Sequence, residues 1–168
     1  MVVNNKKDWF TERVHLYEVA MYRLAYGMLR NEEDAGDAVQ EALLTAYVHL
    51  ESLKDEKKFK SWIMRITANA SVDILRKRKD TLSIDEYDVP TGDDGAREEK
   101  MDLWNAVCSL QEEYRTVVIL FYYEQMSIKD ICRILNMKQA NVKTRLARGR
   151  GKLRVILQSE VNGDEHDG

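Results

Sequence analysis

The periodicity of the apolar residues is the feature that most limits the fold of this 168-residue chain. In every patterned segment they recur at spacings of three and four, the spacing of one face of an α-helix. No segment shows the two-residue alternation of a strand or the turn residues of a hairpin. The sequence therefore predicts an all-α protein.

Segment 127–154 carries the most specific pattern, SIKDICRILNMKQANVKTRLARGRGKLR. Its first half has one apolar stripe, formed by Ile128, Ile131, Cys132 and Leu135. Ser127 and Asp130 have the spacing of a capping box, and Asn136 tolerates the left-handed backbone of a tight turn. A second helix is expected from about Gln139. Two short helices joined by such a turn predict a helix-turn-helix.

The second helix of this motif has two different faces. Its inner face carries Val142, Leu146 and Leu153. The charged residues on its outer face are all cations: Lys143, Arg145, Arg148, Arg150, Lys152 and Arg154. A solvated face usually mixes signs, and this chain has a net charge of −3. The pattern favours a DNA-binding helix over the alternative, an ordinary helical hairpin with a solvated basic face.

The outer face predicts a division between base contacts and phosphate contacts. Lys143 and Arg148 are spaced to reach either base edges or the flanking phosphates. At a base edge, either side chain can donate to guanine O6 and N7. Thr144 and Ala147 are small enough to let DNA approach closely, including a thymine methyl group. Phosphate contacts that set the register are expected from Arg145, Arg150 and Lys152.

Charge is segregated along the chain. Residues 57–79 hold eight Lys or Arg and one acid, and residues 138–154 hold seven Lys or Arg and no acid. Between them, residues 80–102 hold nine acids and two cations. Two basic blocks separated by an acidic one indicate two places that contact a polyanion. The overall negative charge is therefore no argument against nucleic acid.

The apolar pattern predicts two small helical domains. Residues 8–79 contain three amphipathic segments, of which the second is capped by Asn31 and runs to about Leu50, and they predict a three-helix bundle. Residues 80–99 hold the only proline and most of the acidic block, and predict a flexible acidic linker. Residues 100–158 predict the helix-turn-helix domain. Within it, a break near Ser109 is expected, with Glu112 completing a capping box. The polar tail 159–168 is expected to fray.

Several classes of protein are disfavoured. No apolar run approaches the roughly 20 residues that span a bilayer, and the first residues lack a secretory signal, so a cytoplasmic protein without membrane insertion is expected. Cys108 and Cys132 lack CxxC spacing and are expected to be reduced core thiols. Glu12 and His15 form a lone Glu-x-x-His, the pair that di-iron bundles use twice. An enzyme, a metal site and a cofactor are therefore not predicted. A repressor that binds duplex DNA alone is the other alternative.

Taken together, the motifs resemble the extracytoplasmic-function, or group IV, sigma factors of the sigma-70 family of bacterial RNA polymerase. DAGDAVQEALLTAY at 34–47 is similar to the helix that docks on the polymerase clamp. FKSWIMRITANASVDILRKRK at 59–79 is similar to the segment that melts and recognises the minus-ten promoter element. The helix-turn-helix is similar to the unit that recognises the minus-thirty-five element. The resemblance covers about residues 9–158.

The resemblance implies three sets of functional residues and two protein partners. For the minus-thirty-five element the set is Asn141, Lys143, Thr144, Arg145, Ala147, Arg148, Arg150 and Lys152. For the minus-ten element it is Lys57, Lys58, Phe59, Lys60, Trp62, Asn69, Asp73, Arg76 and Lys77. In this second set, core packing is the alternative for both aromatic residues. The polymerase-docking edge would be Asp34, Asp37, Gln40 and Glu41. The alternative is that these are ordinary acidic residues at a helix N-terminus. The implied partners are core polymerase, promoter DNA and an anti-sigma factor, which in this family is frequently membrane-anchored.

The chain departs from the family pattern at two places. The family often has a proline after the leucine at the position of Leu110, and here Gln111 follows it. Gly149 and Gly151 stand late in the expected recognition helix, where each costs roughly 1 kcal/mol of helix propensity. They leave the end of that helix undefined by sequence.

Overall fold

The computed structural model describes residues 2–81 and 102–164, which are helical apart from short turns and contain no strand. The chain divides into two compact units, Met1–Tyr87 and Asp88–Gly168. The prediction of an all-α fold with two helical domains is confirmed. Of the expected linker 80–99, Asp80 and Thr81 belong to the last helix of the first unit, and the remainder lies outside the described residues.

Three helices form the N-terminal unit: α1 (Val2–Leu29), α2 (Glu32–Val48) and α3 (Phe59–Thr81). Each packs on the other two. Helix α2 presents only alanines at its fully buried positions, Ala35, Ala38, Ala42 and Ala46. Their small side chains let larger core residues of α1 and α3, such as Leu24 and Ile63, fill the centre of the bundle.

Local signals set most boundaries in this unit. The side chain of Asn31 accepts a hydrogen bond from the Asp34 N–H at 2.9 Å, as expected of a cap. Helix α1 begins six residues earlier than the apolar pattern indicated. Its first turns reach the 3-10 turn that follows α2, where Lys6 pairs with Glu51 at 2.7 Å. Helix α2 ends at Val48, and the segment before α3 contains 3-10 turns at Leu50–Ser52 and Glu56–Lys58.

Arg78 connects the ends of all three N-terminal helices through hydrogen bonds and an ion pair. Its Nη1 donates to the backbone oxygen of Leu29 at 3.1 Å, at the end of α1. Its Nε donates to Asp34 Oδ2 at 3.0 Å, in the first turn of α2, and Nη2 donates to the same oxygen. The two side chains are 25% and 32% exposed, so the ion pair is only partly screened by water.

The C-terminal unit is built from α4 (Leu103–Cys108), α5 (Glu112–Val118), a π-helical turn at Ile119–Tyr123, α6 (Ile128–Leu135) and α7 (Gln139–Asp164). Its core includes Val107, Leu110, Tyr114, Val118 and Ile119. The predicted capping box is wrong. Ser109 stands at the end of α4, where its Oγ donates to the Ala106 oxygen at 2.6 Å. Helix α5 begins at Glu112 after Gln111, which makes no side-chain cap.

Helices α6 and α7 form the predicted helix-turn-helix. The Ser127 hydroxyl accepts from the Asp130 N–H at 3.1 Å, and Asn136 is left-handed with φ 52°. Helix α7 continues through both glycines to Asp164, so the expectation of a frayed tail is wrong for residues 159–164. Gly149 allows this continuation, because a Cβ there would lie 2.9 Å from Val118 Cγ2. The close approach of α7 to α5 requires a residue without a side chain.

Candidate nucleic-acid interface

The first half of α7 presents an exposed polar and basic surface. Asn141, Lys143, Thr144, Ala147 and Arg148 are all exposed, whereas Arg145 is half-buried. On the opposite side of the helix, Val142 and Leu146 are 0% and 2% exposed. The spacing of three and four therefore divides α7 into a core face and an outer face, as the sequence predicted.

The cations in the second half of the expected recognition surface contact aromatic side chains of their own unit. The Arg150 Nη1 donates to the Tyr122 hydroxyl at 3.0 Å. The Lys152 Nζ lies 5.4 Å from the centroid of the Tyr114 ring. Both cations remain exposed. Each makes this contact while keeping N–H donors for a ligand, since Arg has five and Lys three.

The basic residues of the N-terminal unit lie mainly at the start and near the end of α3. Lys57 and Lys58 are exposed in the 3-10 turn, which Asp55 caps by accepting from the Lys57 N–H at 3.0 Å. Lys60 is half-buried. Further along α3 the exposed members of the expected set are Asn69, Asp73, Arg76 and Lys77. Asp73 lies 3.9 Å from Arg76, so this acid neutralises part of the basic surface.

Phe59 and Trp62 occupy different environments. Phe59 is 2% exposed and is surrounded by the rings of Trp9, Phe10, Tyr17 and Trp62. The core alternative therefore applies to Phe59, which has no surface to offer to DNA. Trp62 is half-buried, with its ring 5.7 Å from that of Phe59. Its outer part is available at the surface, next to the basic turn.

The four residues of the expected docking edge also differ in exposure. Asp37, Gln40 and Glu41 are exposed along α2, whereas Asp34 is half-buried in the ion pair with Arg78. That pair makes Asp34 a residue of the fold, and it is not part of an exposed edge. Sequence reasoning missed the apolar continuation of the edge. Leu44, Tyr47 and Val48 are 60%, 47% and 73% exposed. The available signal was their spacing: Leu44 follows Gln40 by four residues, and Tyr47 and Val48 follow Leu44 by three and four.

Comparison with known proteins identifies the family. The model of sigma-70 region 2 matches residues 14–81, and the model of sigma-70 region 4 matches residues 100–153. The ECF RNA polymerase sigma factor SigW of Bacillus subtilis is 34% identical over 174 residues, which cover 94% of this chain and 93% of SigW. The chain belongs to the extracytoplasmic-function sigma factors. It is thus an RNA polymerase sigma factor, a class that directs promoter-specific initiation and is not catalytic.

Other relatives of this sigma factor agree with that identification. SigV of Bacillus subtilis is 31% identical, with 83% of this chain and 85% of SigV covered. Among solved structures, the sigma factor RpoE in complex with the anti-sigma factor NepR, from Bartonella quintana, is similar with a TM-score of 0.70. It is 23% identical, and the match covers 89% of this chain and 96% of that chain. At this identity the likeness shows the shared fold.

An apolar groove lies in the C-terminal unit of the sigma factor. It has a volume of about 880 Å³ between α4, the π-helical turn and the second half of α7. Leu103 and Tyr122, on its wall, are 54% and 45% exposed, and Arg150 and Arg154 also line it. It is therefore distinct from the outer face formed by the first half of α7.

Neither a metal cluster nor a membrane-spanning helix is found in the part of the chain that the structure describes. No three His, Cys, Asp or Glu residues there are grouped to hold a metal ion. The His15 Nδ1 instead lies 3.7 Å from Glu18. Among the same residues, no helix is both long and apolar enough to cross a bilayer. Cys108 is buried and Cys132 half-buried, and neither forms a disulfide.

Proposed function

We propose that the two units of this sigma factor divide promoter recognition between them. The outer face of α7 binds the minus-thirty-five element as duplex. The surface around α3 binds the minus-ten element and holds the strand that has been unpaired. The observation that supports this division is the presence of one exposed basic surface on each unit, at residues 57–79 and 138–154. Basic surfaces of this kind neutralise phosphates and supply most of the affinity for DNA.

On α7, base recognition is assigned to the exposed first half. Lys143 and Arg148 donate to base edges in the major groove, and Asn141 is suited to adenine N6 and N7. Thr144 and Ala147 leave room for a thymine methyl group. Arg150 and Lys152, which contact Tyr122 and Tyr114, bind phosphates and fix the register together with Arg145.

On the N-terminal unit, the minus-ten strand lies along the basic turn and α3. Lys57, Lys58 and Lys60 hold the phosphates at one end, and Arg76 and Lys77 hold them at the other. Between them, Trp62 offers a stacking surface and Asn69 a side chain that hydrogen-bonds to a base. Removing a base from the duplex costs a few kcal/mol, which stacking and phosphate contacts offset. Phe59 supports this surface from below.

Core polymerase docks on the outer side of α2. Asp37, Gln40 and Glu41 supply charge and hydrogen bonds, and Leu44 with Val48 supplies apolar area further along the helix. Charged groups at such an interface set partner choice and encounter rate, while buried apolar residues contribute most of the affinity. Asp34 contributes indirectly, by holding α2 to α3.

An anti-sigma protein is the second proposed protein partner. Two solved structures of similar fold are complexes: RpoE with the anti-sigma factor NepR, and CnrH with the cytosolic domain of CnrY. A membrane-anchored partner would hold the sigma factor at the cytoplasmic face until a signal releases it. Because its proposed partners are polymerase and promoter DNA, the sigma factor is placed in the cytoplasm.

Transcription with core polymerase, with and without this protein, tests the proposal. The protein is expected to confer initiation at a specific promoter that core polymerase alone does not use. A free-standing repressor would bind the same duplex and give no new transcript, which would reject the proposal. Selection of active sequences from a promoter library with the reconstituted holoenzyme supplies the promoter for this test.

A further inference from the structure

An aromatic cluster joins α1 to the start of α3. The ring of Trp9 lies 5.5 Å from that of Phe59 at an interplanar angle of 84°, and the ring of Trp62 lies 5.7 Å from the same phenyl ring. Phe59 is buried beneath them, whereas both indoles are half-buried. Trp9 and Trp62, 53 positions apart in the sequence, thus share one support and both reach the surface.

One cation contacts the Trp9 ring of this cluster, and two more precede Phe59 in the sequence. The Arg13 guanidinium lies 5.5 Å from the centroid of the Trp9 ring. Lys57 and Lys58, both exposed, immediately precede Phe59. A partly exposed aromatic ring flanked by cations is the combination with which proteins bind single-stranded nucleic acid, because the ring stacks on a base and the cations bind its phosphates.

We propose that Trp9 stacks on an unpaired base of the promoter and that Arg13 binds the neighbouring phosphate. The surface that binds the unpaired strand then extends from α3 onto α1. The strand passes over the buried Phe59, from Trp62 to Trp9. This inference rests on the proposed function of the N-terminal unit. It adds a nucleotide subsite on α1, a helix that contains none of the expected minus-ten residues.

A photochemical cross-link tests the contact without changing the protein. The probe is a promoter whose non-template strand is premelted around the minus-ten element and carries 5-iododeoxyuridine at one position after another. After irradiation of the holoenzyme complex, tryptic peptides 8–13 and 61–65 separate Trp9 from Trp62. We expect a cross-link to Trp9 from at least one position. Cross-links to peptide 61–65 alone would overturn the inference and leave the proposed function standing, whereas a holoenzyme that failed to bind the promoter would reject both.

Substitutions at position 9 measure what the contact contributes. Trp9→Ala is expected to weaken binding of the premelted promoter about five- to 150-fold, and Trp9→Phe to restore part of that loss, since stacking tolerates other aromatic rings. Thr11→Ala, at an exposed neighbour on α1, is the matched control and should leave binding unchanged. Equal binding by Trp9→Ala and the unmodified protein would contradict the subsite. If Trp9→Ala does not fold, the cross-link to the unmodified protein decides whether Trp9 contacts the strand.

Discussion

Gly149 and Gly151 lie two positions apart in α7, but their surroundings differ. A Cβ on Gly149 would lie 2.9 Å from Val118 Cγ2, whereas nothing lies within 4 Å of a Cβ on Gly151. Val118 is 1% exposed and, as a β-branched residue, has little freedom to move aside. The first glycine is therefore required by packing. The second lowers helix stability, and nothing in the structure explains it.

This difference gives opposite predictions for the same substitution. Gly151→Ala is expected to stabilise the C-terminal unit by roughly 1 kcal/mol through helix propensity. Gly149→Ala gains the same propensity but overpacks the core, for a net loss of up to about 2 kcal/mol. Native-state hydrogen exchange of the α5 and α7 amides measures both in the full chain. Stabilisation by both substitutions would contradict the close approach of α7 to α5.

Gln111 occupies a backbone conformation that suits proline. Its φ is −59°, and none of the hydrogen bonds of the described residues uses its N–H. Gln111→Pro is expected to raise stability by about 0.4–1 kcal/mol, because it restricts the unfolded chain. Gln125→Pro is the control: with φ 53°, that position cannot accept proline, and the substitution should destabilise the unit. Thermal unfolding followed by Trp104 fluorescence, with Trp9 and Trp62 replaced by Phe, compares them.

Most residues whose partners are close in sequence were predictable, except for the capping box expected at Ser109 and Glu112, and residues whose partners are distant were not. The caps at Asn31 and Ser127 and the left-handed Asn136 depend on neighbours within five positions, and the structure confirms all three. The burial of Phe59 depends partly on α1, some 50 positions away, and the pairing of Asp34 depends on Arg78. Periodicity shows which face of a helix is inward, but it does not show which residue a side chain will contact.

At the scale of elements, the ion pair between α2 and α3 organises the N-terminal bundle. Asp34→Ala leaves the partly buried Arg78 without its carboxylate and is expected to cost about 1–3 kcal/mol. Asp37→Ala, on the exposed side of the same helix, should change stability by less than about 0.5 kcal/mol. Hydrogen exchange in α2 and α3 measures both. Equal effects would show that Asp34 is an ordinary surface acid.

The lengths of the first and last helices show the limit of pattern-based boundaries. Residues 2–7 of α1 have no apolar stripe, yet they are helical, and Lys6 among them pairs with Glu51 in the 3-10 turn after α2. Helix α7 continues through two glycines, because Leu153 and Ile156 still pack on the C-terminal core. Tertiary contacts outweigh the propensity cost in that second case, and such contacts are not visible in local sequence.

For the whole molecule, the two units predict a separation of functions. Asp37→Arg with Glu41→Arg reverses the charge of the docking edge and should lower the affinity for core polymerase by at least tenfold without unfolding the bundle. The same charge change on α1, Glu12→Arg with Glu18→Arg, is the control and should leave that affinity unchanged. Titration of labelled core polymerase measures it. Unchanged affinity in the first double variant would reject the docking edge.

Footprinting of the holoenzyme on the selected promoter tests the division of recognition most directly. Lys143→Glu with Arg148→Glu should remove protection of the minus-thirty-five element while polymerase binding is kept. Lys57→Glu with Lys58→Glu should keep that upstream protection but abolish the permanganate reactivity of unpaired thymines at the minus-ten element. Two separate losses, one for each double variant, are therefore expected. If the α7 variant kept full upstream protection, or if the Lys57 and Lys58 variant still opened the promoter normally, the assignment of duplex to one unit and unpaired strand to the other would be contradicted.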